Sequence, residues 1–450
     1  MLASSALVLL MTPGLAFFYG GMVRSKGVLN MIMMSMSAMG VVGILWVLFG
    51  YSEAFGNDVG YGLIGNPAEH WGLNGLFGGT YLASGGSQVA IPLVRTIPAT
   101  VFVAFQAMFA IITVALVSGA AADRLRFGPW LAFAALWATV VYFPVAHWVF
   151  AADGVSAPVG GWIVNRLKAI DFAGGTAVHI NAGAAGLALC LVLGRRRGWP
   201  REVMRPHNLP LVMIGAGLLW FGWFGFNAGS AVAANGVAGL AFINTTVATC
   251  TAMLAWLLVE RIRDGRPTSL GGASGVVAGL VAITPSCSSV SPLGAIAVGA
   301  IAGAVCALAV SIKFRFGFDD SLDVVGVHLV GGWAGTLAVG FFATAAAPAG
   351  VNGLFYGGGV DQLWRQAVAA LAVMIYSFVG AFIIALVLKY TIGLRADRDA
   401  EQTGIDETEH AEAGYELSAI FTGSGSSNSK AGQAVPGKIP ASAGQEGEWR

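Results

Sequence analysis

Charged side chains are scarce in this 450-residue chain: Lys and Arg number 24 and Asp and Glu 23, together 10% of positions, where soluble domains carry roughly 25%. So little charge excludes an ordinary water-facing surface and puts a membrane protein first. The basic residues are not gathered into one patch. With a net charge of +1 and its Lys and Arg dispersed over loops, the chain implies no nucleic-acid partner. Cysteines number only four. Cys190, Cys250 and Cys306 fall in apolar runs and Cys287 in a turn, without the ligand spacing of a zinc site or a disulfide framework, so they read as small packing residues and no metal or other cofactor is expected. A basic n-region is missing before the first apolar run, and Arg24 follows it directly. That run therefore reads as a span rather than a signal peptide, with the chain starting abruptly inside its first helix.

What the chain has in abundance is apolar length, with 56% hydrophobic residues. The runs 2–23, 28–52, 96–122 and 127–152 carry no charge, and each exceeds the roughly 18 residues a span requires. Uncharged stretches continue at 172–194, 209–259, 267–312, 324–360 and 366–388. Two of these are too long for one helix. The turn signal Asn235-Gly236 divides the first, and Pro285 to Pro292 divides the second, which brings the tally to eleven helices. Loop charge then orients them, because positive residues mark the cytoplasmic side. Alternate loops hold seventeen basic residues, from Arg24 and Lys26 through the Arg195, Arg196, Arg197, Arg201 and Arg205 group to Lys389, Arg395 and Arg398; the others hold four, Arg95, Arg166, Lys168 and Arg365. The N-terminus is placed outside and the C-terminus inside.

Glycine, at 64 residues, lies mostly within the runs, where small side chains let helix backbones approach. An internal echo links His179-Ile180-Asn181-Ala182-Gly183 with His328-Leu329-Val330-Gly331-Gly332, and the first span echoes the sixth. Spans one to five then repeat as six to ten, and five spans per unit force opposite topologies, with the substrate path at the interface near the midplane. The connection 51–95, rich in Gly, Asn and Trp, reads as a cap on the outer face. Beyond Gly393 the composition turns acidic and then rich in Ser, Gly and Ala. The division is a membrane domain at 1–392, a cytoplasmic tail at 393–416 and a disordered extension at 417–450.

An ionisable group inside a span is costly when charged and is a functional candidate by default. His179 and His328 are the clearest. His179 follows Asp171 by eight residues, about 12 Å into the bilayer, and His328 follows Asp323 by five, about 7 Å from the opposite face. Those depths keep the rings apart unless the tenth helix starts in a recess, so two separately packed histidines and one joined pair both stand. If joined, one ring donates and the other accepts, a neutral polar stripe in an apolar tunnel. Asp171 opens the fifth span, where a carboxylate caps free amides; its charge near the mouth also favours an arriving cation. Phe102, Phe105 and Phe109 in the third span, and Trp220, Trp223 and Phe226 in the sixth, follow helical spacing. Such stripes serve as core, or they line a vestibule whose ring faces attract a small cation by up to about 2 kcal/mol when desolvated. Ser230, four residues after Phe226, adds an acceptor.

The segments Met11-Thr12-Pro13-Gly14-Leu15-Ala16-Phe17-Phe18-Tyr19-Gly20-Gly21, Asp171-Phe172-Ala173-Gly174-Gly175-Thr176-Ala177-Val178-His179-Ile180-Asn181, Trp223-Phe224-Gly225-Phe226-Asn227-Ala228-Gly229-Ser230 and Asp323-Val324-Val325-Gly326-Val327-His328 resemble those of the ammonium transporter (Amt/Mep/Rh) family, bacterial Amt type. The resemblance runs from the first span into the proximal tail. It implies that His179 and His328 are twin pore histidines, Phe109 and Phe226 a stacked gate, and Ser230 and Asp171 parts of an outer cation site, in a homotrimer with one pore per subunit. Ammonium is then recruited outside and deprotonated in passing the histidines. One position departs: family members of the bacterial type usually place Trp three residues after the histidine of the fourth span, whereas His147 is followed at that spacing by Phe150, a weaker cation host without an N–H. In the tail, Gly393-Leu394-Arg395, Gly404-Ile405-Asp406 and His410-Ala411-Glu412-Ala413-Gly414-Tyr415 resemble the family's regulatory C-terminus, which implies docking by a PII signalling protein, although Ala411 stands where Gly is usual.

The expectation is an all-α integral membrane protein of the cell membrane, with two inverted five-helix repeats and a closing eleventh helix, conducting ammonium or ammonia inward and not an enzyme. Two rivals remain: a channel for another small polar or gaseous molecule, and an ammonium sensor whose tail signals.

Overall fold

The computed structural model describes residues 1–78, 91–202 and 204–415; the extension 417–450, expected to be disordered, and the middle of the connection 51–95 lie outside them. The apolar runs become helices in the order α1 (Leu2–Met22), α2 (Ser25–Phe55), α3 (Ala99–Ala121), α4 (Phe127–Phe150), α5 (Gly175–Leu193), α6 (Leu209–Gly229), α7 (Gly236–Arg263), α8 (Ser269–Ile283), α9 (Pro292–Phe316), α10 (Val325–Phe342) and α11 (Asp361–Thr391). Among the described residues, ten of these are long and apolar enough to cross a membrane. The exception is α8, apolar but only 15 residues long, and the turn 284–290 after it is fully buried.

Both expected breaks fall where turn chemistry puts them. The Asn235 carboxamide accepts from the Val237 and Ala238 amides at 3.1 and 3.2 Å, capping α7, and Ser291 accepts from the Gly294 amide at 3.1 Å, capping α9 just before Pro292. The outward faces carry Leu254, Leu258, Ile375 and Ile383, all exposed. A belt of that kind is suited to lipid, where helices satisfy their own backbone groups.

Close helix approach holds the bundle together. α1 runs along α6, and a side chain at Gly21 or Gly215 would strike the backbone of the other helix. With no hydrophobic drive between helices in lipid, such dispersion-dense contact supplies much of the association.

Two short helices follow α11: α12 (Arg398–Thr403) and α13 (Ile405–His410). Their carboxylates fasten them to the arginine-rich face. Glu401 accepts from the Arg197 amide at 3.3 Å, Asp406 accepts from the Leu29 and Asn30 amides at 3.0 and 2.8 Å, and Glu409 accepts from the Phe127 amide at 3.0 Å. Asp406 and Glu409 thus satisfy open amides at the starts of α2 and α4. Burial pushes the Asp406 carboxyl above its usual range despite the two amides that favour its charge.

Candidate functional site

The site is built where α5 and α10 begin below their respective surfaces. Asp171 closes the start of α5. Its Oδ1 accepts from the Gly174 and Gly175 amides at 2.8 and 2.6 Å, and its Oδ2 accepts from the Thr176 and Ala177 amides at 2.7 and 3.2 Å and from the Thr176 hydroxyl. The sharp entry requires Gly174 at φ 121°, a value that favours glycine. The first turn, Gly175–Ile180, is π-helical and carries His179.

The start of α10 repeats the device with a residue not singled out in the sequence. Asp320 is the cap: its carboxylate accepts from the Val324 and Val325 amides at 3.1 and 2.7 Å. Asp323 instead turns out to meet the Lys313 ammonium at 2.6 Å, with its own φ at 62°. Asp320 is 1% exposed, so the helix starts in a recess. That corrects the depth estimate counted from Asp323. Measured from the true caps, both histidines follow their carboxylate by eight residues, and this shared spacing was available in the sequence. The recess is held by Asp319, whose carboxylate receives Arg196 Nε at 2.9 Å and its terminal nitrogen at 2.8 Å, while Arg124 donates to the Asp319 carbonyl at 2.6 Å. Burial alone would raise Asp319, but these guanidinium groups hold it below the usual carboxylate range. For Asp320 burial wins over Lys313 and the two amides, and its carboxyl is pushed up to about 6.

The consequence is contact. His179 Nδ1 and His328 Nδ1 are 3.3 Å apart, with ring centroids at 5.4 Å and planes at 21°. The two residues are 1% and 4% exposed. Two separately packed histidines are therefore ruled out, and one ring must donate while the other accepts. Trp223 stacks on His179 at 5.3 Å and 19° and donates its indole N–H to the Thr284 hydroxyl at 2.9 Å; Thr284 is a second residue not evident from the sequence. The cavity beside the pair measures only about 10 Å³ and is otherwise lined by apolar groups such as Leu15, Ile112, Val178 and Val277.

Two stacked rings close this slot from the next space. Phe109 and Phe226 lie face to face with centroids 4.0 Å apart and planes at 16°, both fully buried. Beyond them opens a vestibule of about 690 Å³, lined among others by Phe102, Gln106, Phe109, Phe150, Asp171 and Ser230, with Arg95, Lys168 and Arg365 also on its wall. Phe150 stands edge-on to Phe109 at 6.3 Å and 83°. Ser230 donates its hydroxyl to the Phe226 carbonyl at 2.8 Å, leaving its oxygen lone pairs as acceptors. The aromatic stripes thus divide: Phe102 and Phe109 line the vestibule, Trp223 and Phe226 the slot, while Phe105 is core and Trp220 packs against it. Gln106 was not singled out in the sequence, and its single polar amide among apolar neighbours is the signal that could have done so.

Residues 1–415 match the model of the Ammonium Transporter Family. A Mycobacterium tuberculosis protein named ammonium transporter is 68% identical over 434 residues, covering 94% of this chain and 91% of its own length. Among solved structures, the crystal structure of Saccharomyces cerevisiae Mep2 is similar with a TM-score of 0.77 at 34% identity, covering 88% of this chain and 86% of that one. A structure named Sensor Amt Protein gives a TM-score of 0.80 at 28% identity, covering 91% and 96%.

Proposed function

This chain belongs to the Ammonium Transporter Family, and from that premise we propose that ammonium enters at the Asp171 vestibule, passes between Phe109 and Phe226, and is handled by the His179 and His328 pair. The protein is a multi-pass membrane transporter of ammonium rather than an enzyme. The observation that carries the route is the 3.3 Å histidine contact at the end of an aromatic-lined path.

Each part has a chemical task. The Asp171 charge, the Phe150 ring face and the Ser230 oxygen attract a small cation. The stacked phenylalanines strip its water, since a slot of about 10 Å³ holds about one water at most. A full cation in such apolar surroundings is disfavoured by several kcal/mol, so ammonium breaks one N–H bond at the histidines, leaves that proton on a free ring nitrogen of the pair, such as the unpartnered His179 Nε2, and continues as ammonia. Their ring nitrogens are the first side-chain acceptors among the residues lining the slot.

Eleven spans, with α8 completing the tally, put the arginine-rich loops and the C-terminus inside and the N-terminus outside. Helices α1–α5 and α6–α10 form inverted repeats that α11 closes, a reading supported by the α1 and α6 pairing and by the matched caps of α5 and α10. The assembly is a homotrimer with a pore in each subunit. The tail 393–416 is regulatory and receives a PII signalling protein.

Growth tests this function. The intact gene should restore growth on limiting ammonium to a cell lacking its own uptake, and His179→Ala or His328→Ala should remove that growth despite normal membrane insertion. Likeness to a sensor of the same fold makes the rival concrete: failure of the intact gene to complement favours sensing over transport.

A further inference from the structure

The segment leading into Asp171 is held from outside its own helix. On α11, Gln362, Arg365 and Gln366 share one face at i, i+3 and i+4, and all three reach the loop 167–170. Arg365 donates to the Leu167 carbonyl at 2.7 Å and Gln362 to the Lys168 carbonyl at 3.4 Å. Gln366 makes the closest hold: its Oε1 accepts from the Ile170 amide at 2.7 Å, and its Nε2 donates to the Ile170 carbonyl at 2.7 Å.

The Gln366 amide is also fully used. Oε1 accepts a second hydrogen bond from Gln362 at 3.0 Å, and Nε2 donates a second to the Thr336 carbonyl of α10 at 3.1 Å. Its side chain is 0% exposed. A buried carboxamide with all four positions filled has one orientation and no slack. It clasps the backbone of Ile170, the residue before Asp171, and ties it to α11 and to the helix that carries His328.

We propose that Gln366 is the positioning residue of the cation-recruitment site, fixing the Asp171 carboxylate at the vestibule floor through the Ile170 backbone, with Gln362 as its support. Gln366 touches no substrate and lines no part of the slot beside the histidines, so its loss falls on recruitment rather than on passage. The inference rests on the recruitment reading given above.

Methylammonium uptake at matched expression tests it. Gln366→Met keeps the size and removes every hydrogen bond; it should raise the half-saturation concentration roughly fivefold, the equivalent of one buried hydrogen bond, while the maximal rate stays within about twofold. Gln366→Asn, which keeps the amide on a shorter arm, should fall between Met and the wild type. Should Gln366→Met fail to insert, Gln366→Asn carries the test, with a smaller shift of the same sign. An unchanged half-saturation concentration, or a fall in maximal rate alone, overturns the proposal. Ser230→Ala is measured alongside. If it too leaves half-saturation unchanged, the recruitment site itself is misplaced; if it raises the value while the glutamine variants do not, only the role of Gln366 fails.

Discussion

At the scale of single residues, the vestibule makes the sharpest forecast at Phe150. A Trp ring there offers a stronger face to a cation and an indole N–H. Phe150→Trp should lower the half-saturation concentration for methylammonium about three- to fivefold, as a gain under 1 kcal/mol implies; an unchanged or higher value in uptake assays at matched expression counts against the assignment. Sequence reasoning found most of this site because its residues are chemically conspicuous. A histidine within an apolar span, a carboxylate at a helix start and aromatic stripes at helical spacing all stand out from their neighbours. What it missed were groups whose roles depend on partners far away in the chain. Thr284 matters through Trp223, and Asp320 was masked by Asp323, which lies nearer to His328 in sequence but faces Lys313.

At the scale of elements, the two recessed helix starts decide whether the histidines meet. Gly183 on α5 lies so close to the Leu329 backbone that any Cβ would collide with it, and Leu329 directly follows His328. Gly183→Leu should push α5 from α10, open the histidine contact and reduce uptake about fivefold or more, on the order of the 1–3 kcal/mol that overpacking costs; near-normal uptake at matched expression would show that the contact tolerates displacement. The Asp320 cap predicts a pH signature. Its folded carboxyl titrates near 6, above the roughly 3.9 of an unfolded aspartate, so the folded state binds that proton more tightly. The resulting penalty is full at pH 7 and fades as pH falls through about 6 towards about 4. The melting temperature of the wild type should therefore rise relative to Asp320→Asn as the pH is lowered from 7 to 5, and a difference that stays flat contradicts the assignment. Helix number and breaks were legible because length, charge and turn residues are local signals. The recess was not, because it depends on Arg124 and Arg196 gripping Asp319 from distant loops.

At the scale of the whole molecule, the tail and the membrane domain form one folded unit through residue 414, joined by Glu401, Asp406 and Glu409. Ala411 ends α13 with φ at 54°, a conformation costing an L-residue roughly 1–2 kcal/mol and normally filled by glycine. Ala411→Gly should tighten the docked tail and slow its removal in limited proteolysis roughly fivefold; an unchanged rate would mean the cap does not govern docking. The tail's acidic composition was plain in the sequence, while its seats at the starts of α2 and α4 could be seen only in three dimensions. Conduction of ammonium past the joined histidines is tested most directly in liposomes containing only the purified protein. Under an imposed ammonium gradient, the intact protein should carry flux well above protein-free liposomes, and the His179→Ala/His328→Ala double variant, reconstituted to the same density, should fall to that background. Equal flux from both proteins, or none from the intact one, would contradict it.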